Sequence, residues 1–286
     1  MFASAPASSA NLGPGFDALA LALDLHVSVE IVSAERLSVE ATGEGKELPR
    51  GVGHLAAMVA TRVVGHDRLA IRVHSDIPVG RGLGSSAALA VAAAAAAGCD
   101  NPLIEGHRVD GHPENAAAST LGGLVAAAVI DGVPTARRLP LDPQLHAVLL
   151  IPDRALPTSE ARAALPALVT HGDAAFNLGR LALLVAGLAD RTQLVPEAFA
   201  DRLHQGARAA LFPEAAALLD GLRDAGALGV CWSGAGPTLL ALTTLPDAPA
   251  LSEAATLLLD EHGVPGTVRS VAADVQGVRR WEDAPD

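Results

Sequence analysis

Along this chain, apolar and polar positions alternate in some stretches and recur at helical spacing in others, and the two patterns interleave from end to end. The second half of residues 19–32, LALALDLHVSVEIV, alternates and is β-branched, which predicts a strand. Residues 37–40 and 70–73 predict two more strands, with helical periodicity over 54–64 between them. Residues 75–84, SDIPVGRGLG, read as a Gly-rich loop, and Ser85 opens an Ala-rich helix reaching about residue 97. Residues 100–114 are polar and carry Gly, His and Pro, so a loop is predicted there. A small-residue segment then runs from Asn115 to Gly122 and Gly123. Strands are predicted over 124–130, ended by Asp131 and Gly132, and over 145–151, ended by Pro152 and Asp153. Helices over 173–189 and 213–225 follow. Residues 229–232 lead into a turn and strand, SGAGPTLLALT, before a helix over 254–262 and a last strand over 267–271.

Strands and helices mix without regular βαβ alternation, which predicts an α+β fold with two layers. A composition shift at residues 141–144, LDPQ, marks the predicted boundary between units 1–142 and 143–286. The acidic tail RWEDAPD, residues 280–286, is expected to fray.

Composition narrows the function. The 286 residues are 50% hydrophobic and 18% charged, which excludes a disordered chain and suits one large domain or two smaller ones. The net charge of −12 disfavours nucleic acid as a partner, and 2% aromatic content leaves little to stack bases on. Cys99 and Cys231 are far apart and form neither a disulfide framework nor a CxxC pair, so both read as small buried hydrophobes. The start of the chain has no basic segment and does not read as a signal peptide. The most membrane-like run, residues 87–97, is shorter than the ~20 residues a spanning helix needs. A soluble cytoplasmic protein with no membrane partner is expected.

Three Gly-rich segments carry the candidate chemistry. Residues 6–17, PASSANLGPGFD, would form a loop of exposed backbone N–H groups, or an ordinary turn with Asp17 as an N-cap. Residues 78–88, PVGRGLGSSAA, place Gly80, Gly82 and Gly84 ahead of Ser85 and Ser86 at a helix N-terminus. Glycines allow close approach, and free N–H groups with the helix dipole make an anion site. The segment lacks the Gly-Lys-Ser/Thr of a Walker loop and the spacing of a dinucleotide fingerprint, so it reads as a phosphate cradle of another kind. Residues 233–238, SGAGPT, form a turn between strands. His107 and His112 have no HExxH or CxxC company and read as solvated loop residues, and zinc is not expected.

Together the three segments resemble, in order and spacing, the three motifs of the GHMP kinase superfamily (galactokinase, homoserine kinase, mevalonate kinase and phosphomevalonate kinase). GLGSSAA at residues 82–88 is the most specific. PASSANLGPGFDALALAL, HPENAAASTLGGLV at 112–125, TSEARAALP at 158–166 and RAALFP at 208–213 look like the wording of the homoserine kinases. The resemblance implies an S5-like α+β N-terminal domain, a ferredoxin-like C-terminal domain, and an active site in the cleft between them. It implies ATP-dependent phosphorylation of the L-homoserine hydroxyl by direct in-line transfer, without an evident catalytic base.

Carried over residue by residue, the resemblance assigns the ATP phosphates to Pro78, Val79, Gly80, Arg81, Gly82, Leu83, Gly84, Ser85, Ser86, Ala87 and Ala88. Mg²⁺ is assigned to Ser86 with a carboxylate. Family members carry a Glu before a His-Pro-Asp-Asn segment; here the tetrapeptide is HPEN and the residue before its Gly is Asp110, leaving Asp110 and Glu105 as alternatives. Arg162 and Arg208 are matched to the substrate carboxylate, Asp17 to its ammonium, and Asn11, Asn115, Thr158 and Gly234 to the rest of the substrate. Asn11 and Arg162 are the catalytic positioning groups. His54 stands where relatives often carry Asn near the adenine. Another kinase of the superfamily, acting on mevalonate or shikimate, and an inactive ligand sensor on the same fold remain the alternatives. The oligomeric state is open, with a homodimer among the outcomes.

Overall fold

A computed structural model describes residues 1–282. Strands β1 (Phe2–Asn11) and β2 (Gly15–Ser33) form the antiparallel centre of a seven-stranded sheet. β3 (Ser38–Gly43) runs parallel to β4 (Leu69–Ser75), and β4 is antiparallel to the second half of β2. The hairpin of β5 (Leu124–Ile130) and β6 (Val133–Leu139) joins the first half of β2. Helices α1 (Leu55–Val64), α2 (Ser85–Ala96), α3 (Pro102–Asp110) and α4 (Glu114–Leu121) belong to this layer, with α2 and α4 against β1 and β2.

The second sheet holds β7 (Leu145–Pro152), β8 (Gly229–Trp232), β9 (Leu239–Thr244) and β10 (Gly266–Ala272) in the antiparallel order β10-β7-β9-β8. Between β7 and β8 come α5 (Thr158–Ala163), α6 (His171–Ala189), α7 (Gln205–Arg208) and α8 (Ala215–Asp224). Between β9 and β10 comes α9 (Ala248–Glu261). With α8 and α9 packed on the sheet, this is the β-α-β-β-α-β ferredoxin-like order. A division at residue 142 separates the two sheets, except that β11 (Arg279–Trp281) returns to pair with β1. The tail expected to fray is therefore a strand over its first residues, and residues 283–286 lie outside the described ones.

Alanine explains how the first layer closes. Ala87, Ala88, Val91 and every residue from Ala92 to Ala96 are buried on α2, so that helix is enclosed on all sides. β1 presents buried Ala3, Ala5, Ala7 and Ala10, and methyl against methyl lets helix and strand lie close. The same packing turns most of residues 6–17 into strand rather than loop: β1 stays buried to Asn11, and left-handed Asn11, Leu12 and Gly13 make a tight turn.

Residues 100–114, read as a loop, contain α3. Its Gly106 is a packing site, since a Cβ there would stand 2.6 Å from the Cβ of Ala116. The membrane-like Ala run lies in buried α2; among the described residues α6 is the helix long and apolar enough to cross a membrane, a test core helices also pass.

Candidate active site

Three Gly-rich segments far apart in the chain meet at one seam. The Ser8 N–H donates to Leu83 O (3.1 Å), the Gly234 N–H to Ala10 O (3.0 Å) and the Thr238 N–H to Arg81 O (3.3 Å). The Ser233 hydroxyl donates to Gly82 O at 2.7 Å. Two glycines are required there. A Cβ on Gly82, whose φ is +76°, would stand 2.3 Å from Ser233 O, and one on Gly84, with φ +65°, would stand 2.1 Å from Ser8 Oγ.

Gly84 caps α2, and Ala88 N–H is the first to bond back, to Gly84 O at 2.9 Å. The N–H groups ahead of it have no acceptor within the helix. They border a cavity of about 530 Å³ between the two sheets' layers. The cavity gathers Val79, Gly80, Gly82, Leu83, Gly84, Ser85 and Ser86 from the predicted phosphate segment. It also gathers Asn11, Asp17, Asp110, Asn115, Thr158, Arg162, Arg208 and Gly234. Pro78, Arg81, Ala87 and Ala88 do not line it; the two alanines lie in the core.

Glu105 is corrected as a metal-ligand candidate. It is buried on α3 outside the cavity, with Oε2 2.8 Å from Arg62 Nη1 and Oε1 2.6 Å from Arg108 Nη1. Two cations already occupy both oxygens. Asp110, at the end of α3, faces the cavity.

Two arginines, Arg162 and Arg208, line the cavity. Arg162 grips Asp17 bidentately, Nη2 to Oδ1 at 2.6 Å and Nη1 to Oδ2 at 3.1 Å. Arg208 is 2% exposed and donates from Nε to Ala161 O (3.3 Å) and from Nη1 to Gly234 O (3.0 Å) and His204 Nδ1 (2.9 Å). Burial and the neighbouring Arg162 push Arg208 down to about 10, so it stays charged at neutral pH. His204 Nε2 donates to Gly13 O at 2.8 Å, which leaves Nδ1 as the acceptor for Arg208. Burial lowers the His204 pKa, in keeping with this neutral tautomer. Phe16 lies 5.6 Å from the Arg162 guanidinium and 5.7 Å from that of Arg208, and stacks on His204 at 5.2 Å. Asn11, at φ +72°, donates from Nδ2 to Gly234 O and accepts the Asp17 N–H, both at 3.0 Å.

Acidic groups lie beside this set, with ligand atoms of His112 and Glu114 within 4.8 Å of those of Asp17. Burial raises Asp110 to about 6, opposed by His112 and reinforced by Glu114. His112, expected in solvent, instead lines the cavity with Nδ1 2.7 Å from Glu114 Oε1. Burial alone would lower the His112 pKa, but the hydrogen bond and charge of Glu114 leave it raised. A second, largely apolar cavity of about 270 Å³ shares Val79, Ser85 and Ser86 with the first. His54 lines it, with Nδ1 accepting the Ala56 N–H at 3.2 Å as the cap of α1.

Phe16, His112, Glu114 and His204 belong to the site although the sequence reading had not placed them there. Glu114 and His112 stood inside the quoted HPEN segment; Phe16 and His204 gave no pattern of their own.

Residues 52–123 match the family description "GHMP kinases N terminal domain" and residues 175–258 match "GHMP kinases C terminal". The chain belongs to the GHMP kinases. It is 41% identical over 82% of its length to a homoserine kinase of Solibacter usitatus, covering 82% of that protein. It is 39% identical over 93% of its length to the homoserine kinase of Moorella thermoacetica, covering 95% of that protein. The crystal structure of homoserine kinase from Cytophaga hutchinsonii superposes with a TM-score of 0.85 at 26% identity, covering 98% of this chain and 96% of that one. Within the superfamily, the chain is a member of the homoserine kinase family.

Proposed function

We propose that this chain transfers the γ-phosphoryl group of ATP to the side-chain hydroxyl of L-homoserine, giving O-phospho-L-homoserine for threonine biosynthesis. The observation that carries this reading is a single cavity with a glycine-lined helix N-terminus facing a fixed Asp17–Arg162–Arg208 charge set. The likeness to the homoserine kinases above supports it.

The first-turn N–H groups of α2, beside Gly80, Gly82 and Gly84 with no side chains of their own, receive the polyphosphate. The apolar cavity beside Ser85 takes the adenine, with His54 in its wall. Ser86 and Asp110 offer a hydroxyl and a carboxylate oxygen, the hard donors that suit Mg²⁺. Bound there, Mg²⁺ would supply neutralisation of phosphate charge. The homoserine carboxylate pairs with Arg208 and Arg162, whose planar forks match it. Its ammonium pairs with Asp17, and Asn11, Asn115 and Thr158 fix the chain that carries the hydroxyl. Gly234 O holds both Asn11 and Arg208, tying hydroxyl and carboxylate recognition to one point. The hydroxyl oxygen then attacks the γ-phosphorus in line, the bond to the β-phosphate oxygen breaks, ADP leaves, and the hydroxyl proton passes to solvent. Positioning and charge neutralisation do most of the work in such a transfer, so no side-chain base is needed. Substrates of this kind, small and water-soluble, fit a cytoplasmic site of action.

A coupled ADP-release assay with L-homoserine, mevalonate and shikimate tests the reading. Turnover with L-homoserine alone is expected. Turnover of mevalonate or shikimate in its place would move the chain to another branch of the superfamily, and ATP binding without ADP release from any of them would make it a sensor.

A further inference from the structure

We propose that Glu114 is a metal-binding residue of this site, its free Oε2 being a second carboxylate ligand to the divalent cation that accompanies the nucleotide. The proposal rests on the kinase reading above. Glu114 is the first residue of α4 and is 1% exposed. Its Oε1 accepts from His112 Nδ1 at 2.7 Å and Asn115 Nδ2 at 3.3 Å. Its Oε2 is shut off from water and has no hydrogen-bond partner among the described residues. A buried carboxylate oxygen left unpaired carries its full desolvation cost. The positive end of α4 offsets a part of that cost, but no N–H of the helix donates to Oε2. Such an oxygen is explained by a partner that arrives later.

Its surroundings define that partner. Glu114 lines the cavity with Asp110, Ser85 and Ser86. Asn115, next in sequence, abuts the phosphate loop: its Oδ1 accepts from Ser8 Oγ at 2.8 Å and would stand 3.0 Å from a Cβ on Gly84. Two carboxylates beside a polyphosphate cradle bring like charge against like. A hard divalent cation is the species that binds carboxylate and phosphate oxygens at once. The nearby protein cations are engaged, Arg162 with Asp17 and His112 with Oε1. The rival occupant is the substrate ammonium. Asp17, His112 and Glu114 place ligand atoms within 4.8 Å of one another, close enough for the test to have to separate the two.

Mn²⁺ is the probe, followed by electron paramagnetic resonance with the full-length protein and a non-hydrolysable ATP analogue. Glu114→Gln keeps the shape and an acceptor for His112. Mn²⁺ binding in the ternary complex should weaken at least about tenfold, while metal-free analogue binding and L-homoserine binding stay near wild type. Unchanged Mn²⁺ affinity overturns the proposal. So does weakened L-homoserine binding with Mn²⁺ affinity intact, which would give Oε2 to the ammonium. If the wild-type protein itself binds no Mn²⁺–analogue complex, the kinase reading falls too, an outcome distinct from equal binding by wild type and variant. Should Glu114→Gln not fold, Glu114→Asp draws the carboxylate back by one methylene; weaker Mn²⁺ binding supports the proposal and unchanged binding overturns it.

Discussion

Replacing Arg208 with Met should separate substrate recognition from everything else the site does. Arg208 is 2% exposed and no carboxylate among the described residues pairs with it; its bonds go to two carbonyls and a neutral imidazole. An incoming carboxylate is thus its first anionic partner. Removing one member of a buried, hydrogen-bonded charge pair costs about 2–5 kcal/mol. That is about thirtyfold to a few thousandfold in affinity. The KM for L-homoserine should rise by that factor, while the KM for ATP moves less than about twofold, because the Arg208 side chain bonds Ala161, His204 and Gly234 and none of residues 78–88. Stability should change little. Losing a desolvated cation relieves the strain that pushes Arg208 down to about 10, but it takes the Arg208 donors away from His204 Nδ1 and Ala161 O, while Gly234 O keeps Asn11 Nδ2. If these roughly offset, Tm stays within about 4 °C. Coupled ADP-release kinetics at varied homoserine and ATP, with a melting curve of each protein, make the test. A parallel rise in both KM values, or an unchanged homoserine KM, refutes the assignment of Arg208 to the substrate carboxylate.

Gly82→Ala should lose stability and ATP affinity together. The left-handed φ of +76° costs a non-glycine residue about 1–2 kcal/mol, and a methyl 2.3 Å from Ser233 O forces displacement worth about 1–3 kcal/mol; urea unfolding and nucleotide titration measure both. His204 predicts a pH dependence. Its folded pKa lies below the unfolded 6.5 through burial and Arg208, against the opposing charges of Asp201 and Asp17, so the unfolded state binds more protons below that pH and stability falls as pH drops. His204→Gln should flatten the loss of unfolding free energy between pH 7.5 and 5.5; an unchanged slope removes His204 from the account. Glu105→Ala should cost about 1–2 kcal/mol by freeing Arg62 and Arg108, both about half exposed, and leave the Mg²⁺ requirement intact, whereas Asp110→Asn should abolish Mg²⁺-dependent turnover in a metal titration.

The GLGSSAA segment was legible because its chemistry sits in a few consecutive residues. The strands of the second sheet were legible because their apolar runs are short and bounded by turn residues. β6 was not predicted. VPTARRL is an edge strand with two arginines and no buried residue, and an edge strand need not alternate. Its signal lay in the turn before it, where Asp131 and Gly132 both take positive φ, the hairpin geometry that Asp-Gly favours. α3 was misread because Gly106 looks like a breaker when its neighbours are unknown; close packing against Ala116 is a tertiary reason. The choice between Asp110 and Glu105 was undecidable along the chain, since it depends on where Arg62 and Arg108 lie. His204 was invisible for the same reason: the carbonyl that fixes its tautomer belongs to Gly13, 191 residues away.

The bidentate contact between Arg162 and Asp17 means that the two groups proposed above for the ends of an amino acid neutralise one another. A guest carboxylate that reaches Arg162 as well as Arg208, or an ammonium that reaches Asp17, would have to exchange with this pair, and the exchange balances only for a molecule bearing both charges. L-Homoserine trades one internal ion pair for two external ones. 4-Hydroxybutyrate, with carboxylate and hydroxyl alone, would satisfy the arginines and strand Asp17. 3-Aminopropanol would do the reverse and strand Arg162. With the proposed substrate contacts, this pair would act as a filter for zwitterions before any phosphate is transferred, through the bond a half-matching alcohol would have to break without replacing.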